Sequence, residues 1–239
     1  MEEDFIYWRH PSVPGIKIEE VTGGERYKGG VWLEMARQLY CENGKDEYRE
    51  IGHFANGAPF LYGEPARISV THCPGLFAVA TLAPTPDADL AEFNPLTALG
   101  IDAERSDREQ VLKVRDRFLS PAELEMIPAD GVLLNVQAWT LKEALYKARL
   151  LEGLDFRKDI VIRKLPKLGP PTPVFDAAEF GLPRGQKKLP EEFFGEATVA
   201  GEEFRVYSYL SDGESVSYVV SLAYSPASAR YVGEAPSRH

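Results

Sequence analysis

The segment QAWTLKEALYKARLLEG, residues 137–153, constrains the fold more than any other. It is dense in strong helix formers and ends at Gly153, which predicts one long helix. Most of the remaining chain reads as short strands broken by turns. RISVTHCPGLFAVATLAP predicts a strand, a turn at Pro74-Gly75 and a second strand, FAVATL. ALGIDAE, KDIVIRKL, FRVYSYL and SVSYVVSLAY read as further strands. Ser106 is expected to cap a helix carrying Val111, Val114 and Phe118. Ser120, with Pro121 and Glu123, is expected to start a short one. Residues 30–51 suggest another helix, NGAPFLYGEPAR reads as a loop, and residues 168–195 read as an irregular excursion. Helices mixed with short antiparallel strands predict an α+β fold rather than a βαβ series.

The chain has 239 residues, 44% of them hydrophobic, enough to bury a core in one large domain or two small ones. TPDADLAEFNP, residues 85–95, is the natural boundary between halves. The two cysteines, Cys41 and Cys73, fit neither a disulfide framework nor zinc spacing, so Cys73 is expected to be a buried structural thiol. The acidic start MEEDFIYWRH lacks signal-peptide character, and no apolar run is long enough to span a membrane, so a cytoplasmic setting is expected. A net charge of −10 argues against nucleic-acid binding. The charge is uneven. Residues 1–98 hold 8 Lys and Arg against 15 Asp and Glu, whereas residues 105–167 hold 13 against 10 and are mildly basic.

Asp102 and Glu104 lie two residues apart in ALGIDAERSD. On a strand they share one face, and their mutual repulsion asks for a cation or a partner. On the long helix, Trp139, Lys142, Glu143, Tyr146 and Lys147 fall at i, i+3, i+4, i+7 and i+8. If that helix packs beside the strand, Glu143 adds a third carboxylate. An all-oxygen set suits a hard divalent ion such as Mg²⁺, with Lys142 and Lys147 beside it for a phosphate. Taken alone, each feature has an ordinary explanation. Glu143 and Lys147 make an i,i+4 ion pair, His72 is a structural histidine, and Glu123 is a capping residue. GxxxxGK[ST] and GxGxxG do not occur.

Five motifs in order change that balance: Gly57-Ala58-Pro59, Ser69-Val70-Thr71-His72-Cys73, GIDAE at 100–104, RFLSPAE at 117–123 and WTLKEALYK at 139–147. Together they resemble the 4′-phosphopantetheinyl transferases, in their longer pseudo-twofold form. The resemblance covers roughly residues 50 to 150 and implies two similar α+β lobes, residues 1–97 and 98–239, with a cofactor cleft between them. It implies transfer of the phosphopantetheine arm of coenzyme A to a serine of an acyl, peptidyl or aryl carrier protein, with release of adenosine 3′,5′-bisphosphate. Asp102, Glu104 and Glu143 would hold Mg²⁺, or Mn²⁺. Thr71, His72, Gly57, Pro59, Lys142 and Lys147 would bind coenzyme A. Glu123 would be the general base and Lys147 would offset leaving-group charge, whereas Trp139 would pack. The expected protein is a monomer whose basic 105–167 region docks an acidic carrier. Two positions depart from the family pattern. Ala58 stands where a basic residue is usual, a loss that Arg67 could offset, and Cys73 replaces a small hydroxyl residue. The competing readings are a non-catalytic coenzyme A or carrier-binding homologue and a DxE exonuclease.

Overall fold

The computed structural model describes residues 5–9, 16–22, 51–54, 57–62, 66–82, 98–169, 191–213 and 215–225. The helix expected within 30–51, the 85–95 boundary, Cys41 and most of the 168–195 excursion lie outside them.

Two antiparallel sheets form the framework. The first contains β1 (Phe5–Arg9), β2 (Ile16–Thr22), β3 (Ile51–His53), β4 (Pro59–Leu61), β5 (Arg67–Cys73) and β6 (Leu76–Leu82), in the order β1-β2-β6-β5-β4-β3. The second contains β7 (Leu99–Arg105), β8 (Ile160–Lys164), β9 (Phe194–Val199), β10 (Glu202–Asp212) and β11 (Ser217–Tyr224), in the order β7-β11-β10-β9-β8. Helices α1 (Gln110–Phe118), α2 (Pro121–Met126) and α3 (Val132–Arg149) follow β7 in the chain. The mixed α+β architecture matches the expectation. Among the described residues no helix is long and apolar enough to cross a membrane.

Strand alternation sorts the layers. Leu99, Ile101 and Ala103 face a core shared by both sheets, with Ile18, Leu76 and Ala78 of the first and Val220 and Leu222 of the second. On the opposite face of the second sheet, Val219 and Ala223 pack with Leu141, Ala144 and Ala148 of α3. A polar chain crosses that contact. The Ser221 hydroxyl lies 2.9 Å from Ser208 Oγ and 2.7 Å from Thr140 Oγ1, which donates to Gln137 O at 3.0 Å.

Gly100 lets α3 approach β7. A Cβ there would strike the Ala144 carbonyl and lie 2.7 Å from Ala148 N, and backbone atoms cannot step aside cheaply. Gly100→Ala should therefore cost about 1–3 kcal/mol by overpacking. Urea unfolding measures it, and a cost below about 0.5 kcal/mol would mean the contact is looser.

Several element boundaries differ from the sequence expectation. The long helix starts at Val132, not Gln137, and ends at Arg149, with Leu150 in the left-handed region at φ 58° instead of continuing to Gly153. Ser106 does not cap α1; Glu109 occupies that position with no side-chain cap bond. β4 falls inside the expected loop. The capping box of α2 forms as read. Ser120 Oγ accepts from Glu123 N at 3.3 Å and Glu123 Oε2 accepts from Ser120 N at 2.6 Å.

One buried acid links the sheets. Glu20 on β2 accepts from the Tyr209 hydroxyl and from Ser211 Oγ at 2.8 Å, both on β10. Burial pushes its carboxyl up from 4.5 to about 7, against the lowering effect of the Ser211 bond. The folded state thus binds the proton more tightly than the unfolded chain. This contribution is fully present below about pH 4.5 and is lost as the pH rises towards 7. Melting curves across that window should show stability falling by a few kcal/mol in the wild type. Glu20→Gln should flatten the slope, and an unchanged slope would exclude Glu20 as its source.

Candidate active site

The site begins as an edge-strand problem. β7 pairs with β11 on one side only, so its outward amides need other partners. Hydroxyls of β5 supply them. Ile101 N donates to Ser69 Oγ at 3.0 Å and Ala103 N donates to Thr71 Oγ1 at 3.1 Å. The Thr71 hydroxyl then donates to Asp102 Oδ1 at 3.0 Å, which fixes that carboxylate at the seam between the sheets. Lys147 reaches the same oxygen from α3. Its Nζ donates to Asp102 Oδ1 at 2.7 Å, to Ile101 O at 3.1 Å and to Val70 O at 3.4 Å. Strand, neighbouring sheet and helix thus meet at one ion pair.

A cavity of about 430 Å³ opens beside that pair. Of the residues expected to bind cofactor, Gly57, Pro59, Thr71, His72 and Lys147 line it, as does Asp102. Arg67 lines it too, with an apolar wall of Tyr146, Leu150 and Leu151. Tyr146 belongs to the helical face that carries Glu143 and Lys147, whereas Leu150 and Leu151 follow the end of α3, where helical spacing assigns no face.

The three expected metal ligands sit on facing surfaces: Asp102 and Glu104 on one side of β7, Glu143 on α3. Burial first, and then the charge of Asp102, push the Glu143 carboxyl up, while Lys147 pulls it down. Their side chains are not gathered as a three-ligand set. Asp102 is turned onto Lys147. Glu104 is turned onto the Arg108 guanidinium and also accepts from Arg105 N at 2.9 Å. Among the described residues no group of three His, Cys, Asp or Glu side chains is close enough to hold a metal ion.

Glu123 and Lys142 are not brought into this site. Each helix residue turns the axis by about 100°, so side chains five apart diverge by about 140°. Lys147 points to β7 and Lys142 points away from it. Lys142 is 0% exposed and donates to Glu123 Oε2 at 2.7 Å, Phe156 O at 2.6 Å and Ile160 O at 2.7 Å. Glu123 is 1% exposed, and its other oxygen accepts from Ile162 N at 2.7 Å. Every ammonium proton has an acceptor, and the carboxylate accepts three donors. Neither residue lines the cavity. Trp139 packs as expected, edge-on to Phe118 at 5.1 Å and stacked with Phe156 at 6.0 Å.

The family model of the 4′-phosphopantetheinyl transferase superfamily matches residues 98–194. That match spans 97 of the chain's 239 residues. The matched stretch begins with β7 and includes Asp102, Glu104, Glu143 and Lys147. The other wall of the cavity, from His53 to His72, lies outside the match. No curated protein matches the chain.

Proposed function

We propose that the cavity is where the 4′-phosphopantetheine group of coenzyme A is transferred to a serine of an acyl, peptidyl or aryl carrier protein, releasing adenosine 3′,5′-bisphosphate. One observation carries the reading. The Asp102–Lys147 pair of the matched stretch lies in the wall of the chain's cavity, held by Thr71 from the other sheet. A carboxylate alone would repel a diphosphate, but a carboxylate with a lysine and room for a cation can hold one.

The donor set fits a hard divalent ion in its chemistry. All three candidates are carboxylates, and Asp102 already raises the proton affinity of Glu143 through its charge. Asp102, Glu104 and Glu143 would hold Mg²⁺, or Mn²⁺, once Asp102 and Glu104 turn from their present partners. A bound ion would neutralise charge on the diphosphate of coenzyme A. The chain's own residues do the rest. Thr71 orients Asp102, Lys147 offers positive charge to the phosphate end, and Gly57, Pro59 and His72 bound the nucleotide end. Lys142 and Glu123 enter as a buried pair that holds α2, the 155–160 turn and β8 against α3.

The reading includes two lobes, residues 1–97 and 98–239, related by a pseudo-twofold axis, and the presence of two separate sheets supports the division into lobes. Exposed Lys113, Arg117, Arg157 and Lys158 lie in the mildly basic region and would steer an acidic carrier. The buried free thiol of Cys73, pushed up to about 12 by burial, is in keeping with a reducing cytoplasm. The test is direct. The protein is incubated with coenzyme A, Mg²⁺ and several apo carrier proteins, and each carrier is weighed by mass spectrometry. A gain of one phosphopantetheine group is expected. No adduct on any carrier, with coenzyme A still bound, would favour the non-catalytic homologue instead.

A further inference from the structure

Asp102 and Glu104 are each held by a cation, but the two cations differ. Both carboxylates are largely buried, with side chains 12% and 11% exposed, so each needs a partner for its charge. Lys147 is anchored. Besides Asp102 it donates to the carbonyls of Ile101 and Val70, and it keeps these if Asp102 turns away. Arg108 has no such anchor. It stands in the turn between β7 and α1 with its side chain 45% exposed, and Glu104 is the one acid among the described residues that its guanidinium pairs with. The two oxygens of Glu104 are divided between two donors. Oε1 accepts from Arg105 N at 2.9 Å, and Oε2 faces Arg108 Nη1. The amide belongs to the end of β7 and cannot leave without moving the strand, whereas the guanidinium can swing into water. Arg108 thus covers the oxygen that another cation could take at least cost. Its neighbour Arg105 is not equivalent. The Arg105 fork is closed on Asp107, with Nε donating to Oδ1 at 3.0 Å and Nη2 to Oδ2 at 2.8 Å.

We propose that Arg108 is the resident counter-ion of Glu104, which a divalent cation must displace, and that it thereby sets the affinity of the carboxylate set for that ion. The inference rests on the reading above in which Asp102, Glu104 and Glu143 hold Mg²⁺ or Mn²⁺. Arg108 is a positioning residue that acts on the ion through Glu104. Without an ion it balances a buried negative charge that stands beside Asp102 on the same face of β7. When an ion arrives, two positive charges at one carboxylate oxygen repel each other, and the more exposed one is released. Ion binding is then an exchange of cations, weaker than three unpaired carboxylates would give. A surface pair that only steadied the β7–α1 turn would influence the ion through the general field of the protein alone, and Arg105 shares in that field.

Titration of the full chain with Mn²⁺ alone, with the free ion read by electron paramagnetic resonance, decides the matter. Arg108→Gln should bind Mn²⁺ about two- to fivefold more tightly than the wild type, the worth of a partly exposed ion pair. Arg108→Lys, which keeps the charge, should stay nearer the wild type. Arg105→Gln should gain much less, because Asp107 already balances that guanidinium. Glu104→Gln should weaken Mn²⁺ binding, and adding Arg108→Gln to it should bring no further gain, since the double-mutant cycle closes only if Arg108 acts through Glu104. Equal Mn²⁺ affinity in the wild type and Arg108→Gln would overturn the proposal and leave the cation reading standing. An equal gain from Arg105→Gln, or a gain that persists beside Glu104→Gln, would do the same. If neither the wild type nor Arg108→Gln binds Mn²⁺, the cation reading fails and the proposal falls with it.

Discussion

Lys142→Met should lower the unfolding free energy by about 3–5 kcal/mol, the cost of removing one partner from a buried ion pair. At roughly 2–4 °C per kcal/mol for a chain of this size, the melting temperature should fall by about 6–20 °C. The change fills most of the volume but strands polar groups. Phe156 O and Ile160 O lose their ammonium donor, and Glu123 keeps a buried negative charge with only the Ser120 and Ile162 amides on it. Glu123→Gln should also destabilise, for a different reason. The carboxylate accepts from an amide on each oxygen, so the new NH₂ must face a donor whichever way the side chain flips. Below their melting points both variants should still bind coenzyme A, because neither residue lines the cavity. Calorimetry paired with ligand titration separates the effects. A normal melting temperature with lost transfer would return Glu123 to the reacting centre.

The second large effect concerns the cavity. Asp102→Ala should reduce phosphopantetheine transfer by at least about a hundredfold, the usual scale for removing a preorganised charge at a reacting centre. It removes the hub that Thr71 and Lys147 share, and with it one carboxylate of the proposed cation site. Stability should change little by comparison. The Asp102 side chain is partly accessible at the cavity, and Lys147 retains the Ile101 and Val70 carbonyls. Lys147→Met should lose transfer on a similar scale while leaving Asp102 and Glu143 to repel each other. Its Glu143 carboxyl should then titrate higher than in the wild type, because Lys147 is the group that holds it down. Carbon-detected NMR titration of the side-chain carboxyls reads this, and a lower Glu143 pKa would contradict the assigned proximity.

Much of this was legible in the chain, for local reasons. The β5–β6 hairpin follows from two apolar runs around Pro74-Gly75, and the α2 capping box follows from Ser120, Pro121 and Glu123. The start of α3 was missed because Val132, Leu133 and Leu134 carry an apolar run without an amphipathic stripe and without a side-chain cap. β4 was hidden in a Gly- and Pro-rich stretch. Its proline is the first residue of a three-residue strand, a position where a missing amide is tolerated. β9 was hidden by Phe194-Gly195, which follows a 3₁₀ turn at Glu191–Phe193. At the site, Asp102 and Lys147 could be expected to meet because both belong to strong local patterns. The Lys142–Glu123 partnership could not. Spacing places both residues but does not say that a 140° divergence sends one lysine to the cavity and the other into the core.

Single-turnover transfer from coenzyme A to one accepted apo carrier, at a temperature where all proteins are folded, tests the central claim most directly. Wild type, Asp102→Ala and Lys142→Met are compared by the mass of the carrier. The account predicts adduct with the wild type and with Lys142→Met, and almost none with Asp102→Ala. Undiminished transfer by Asp102→Ala would contradict it.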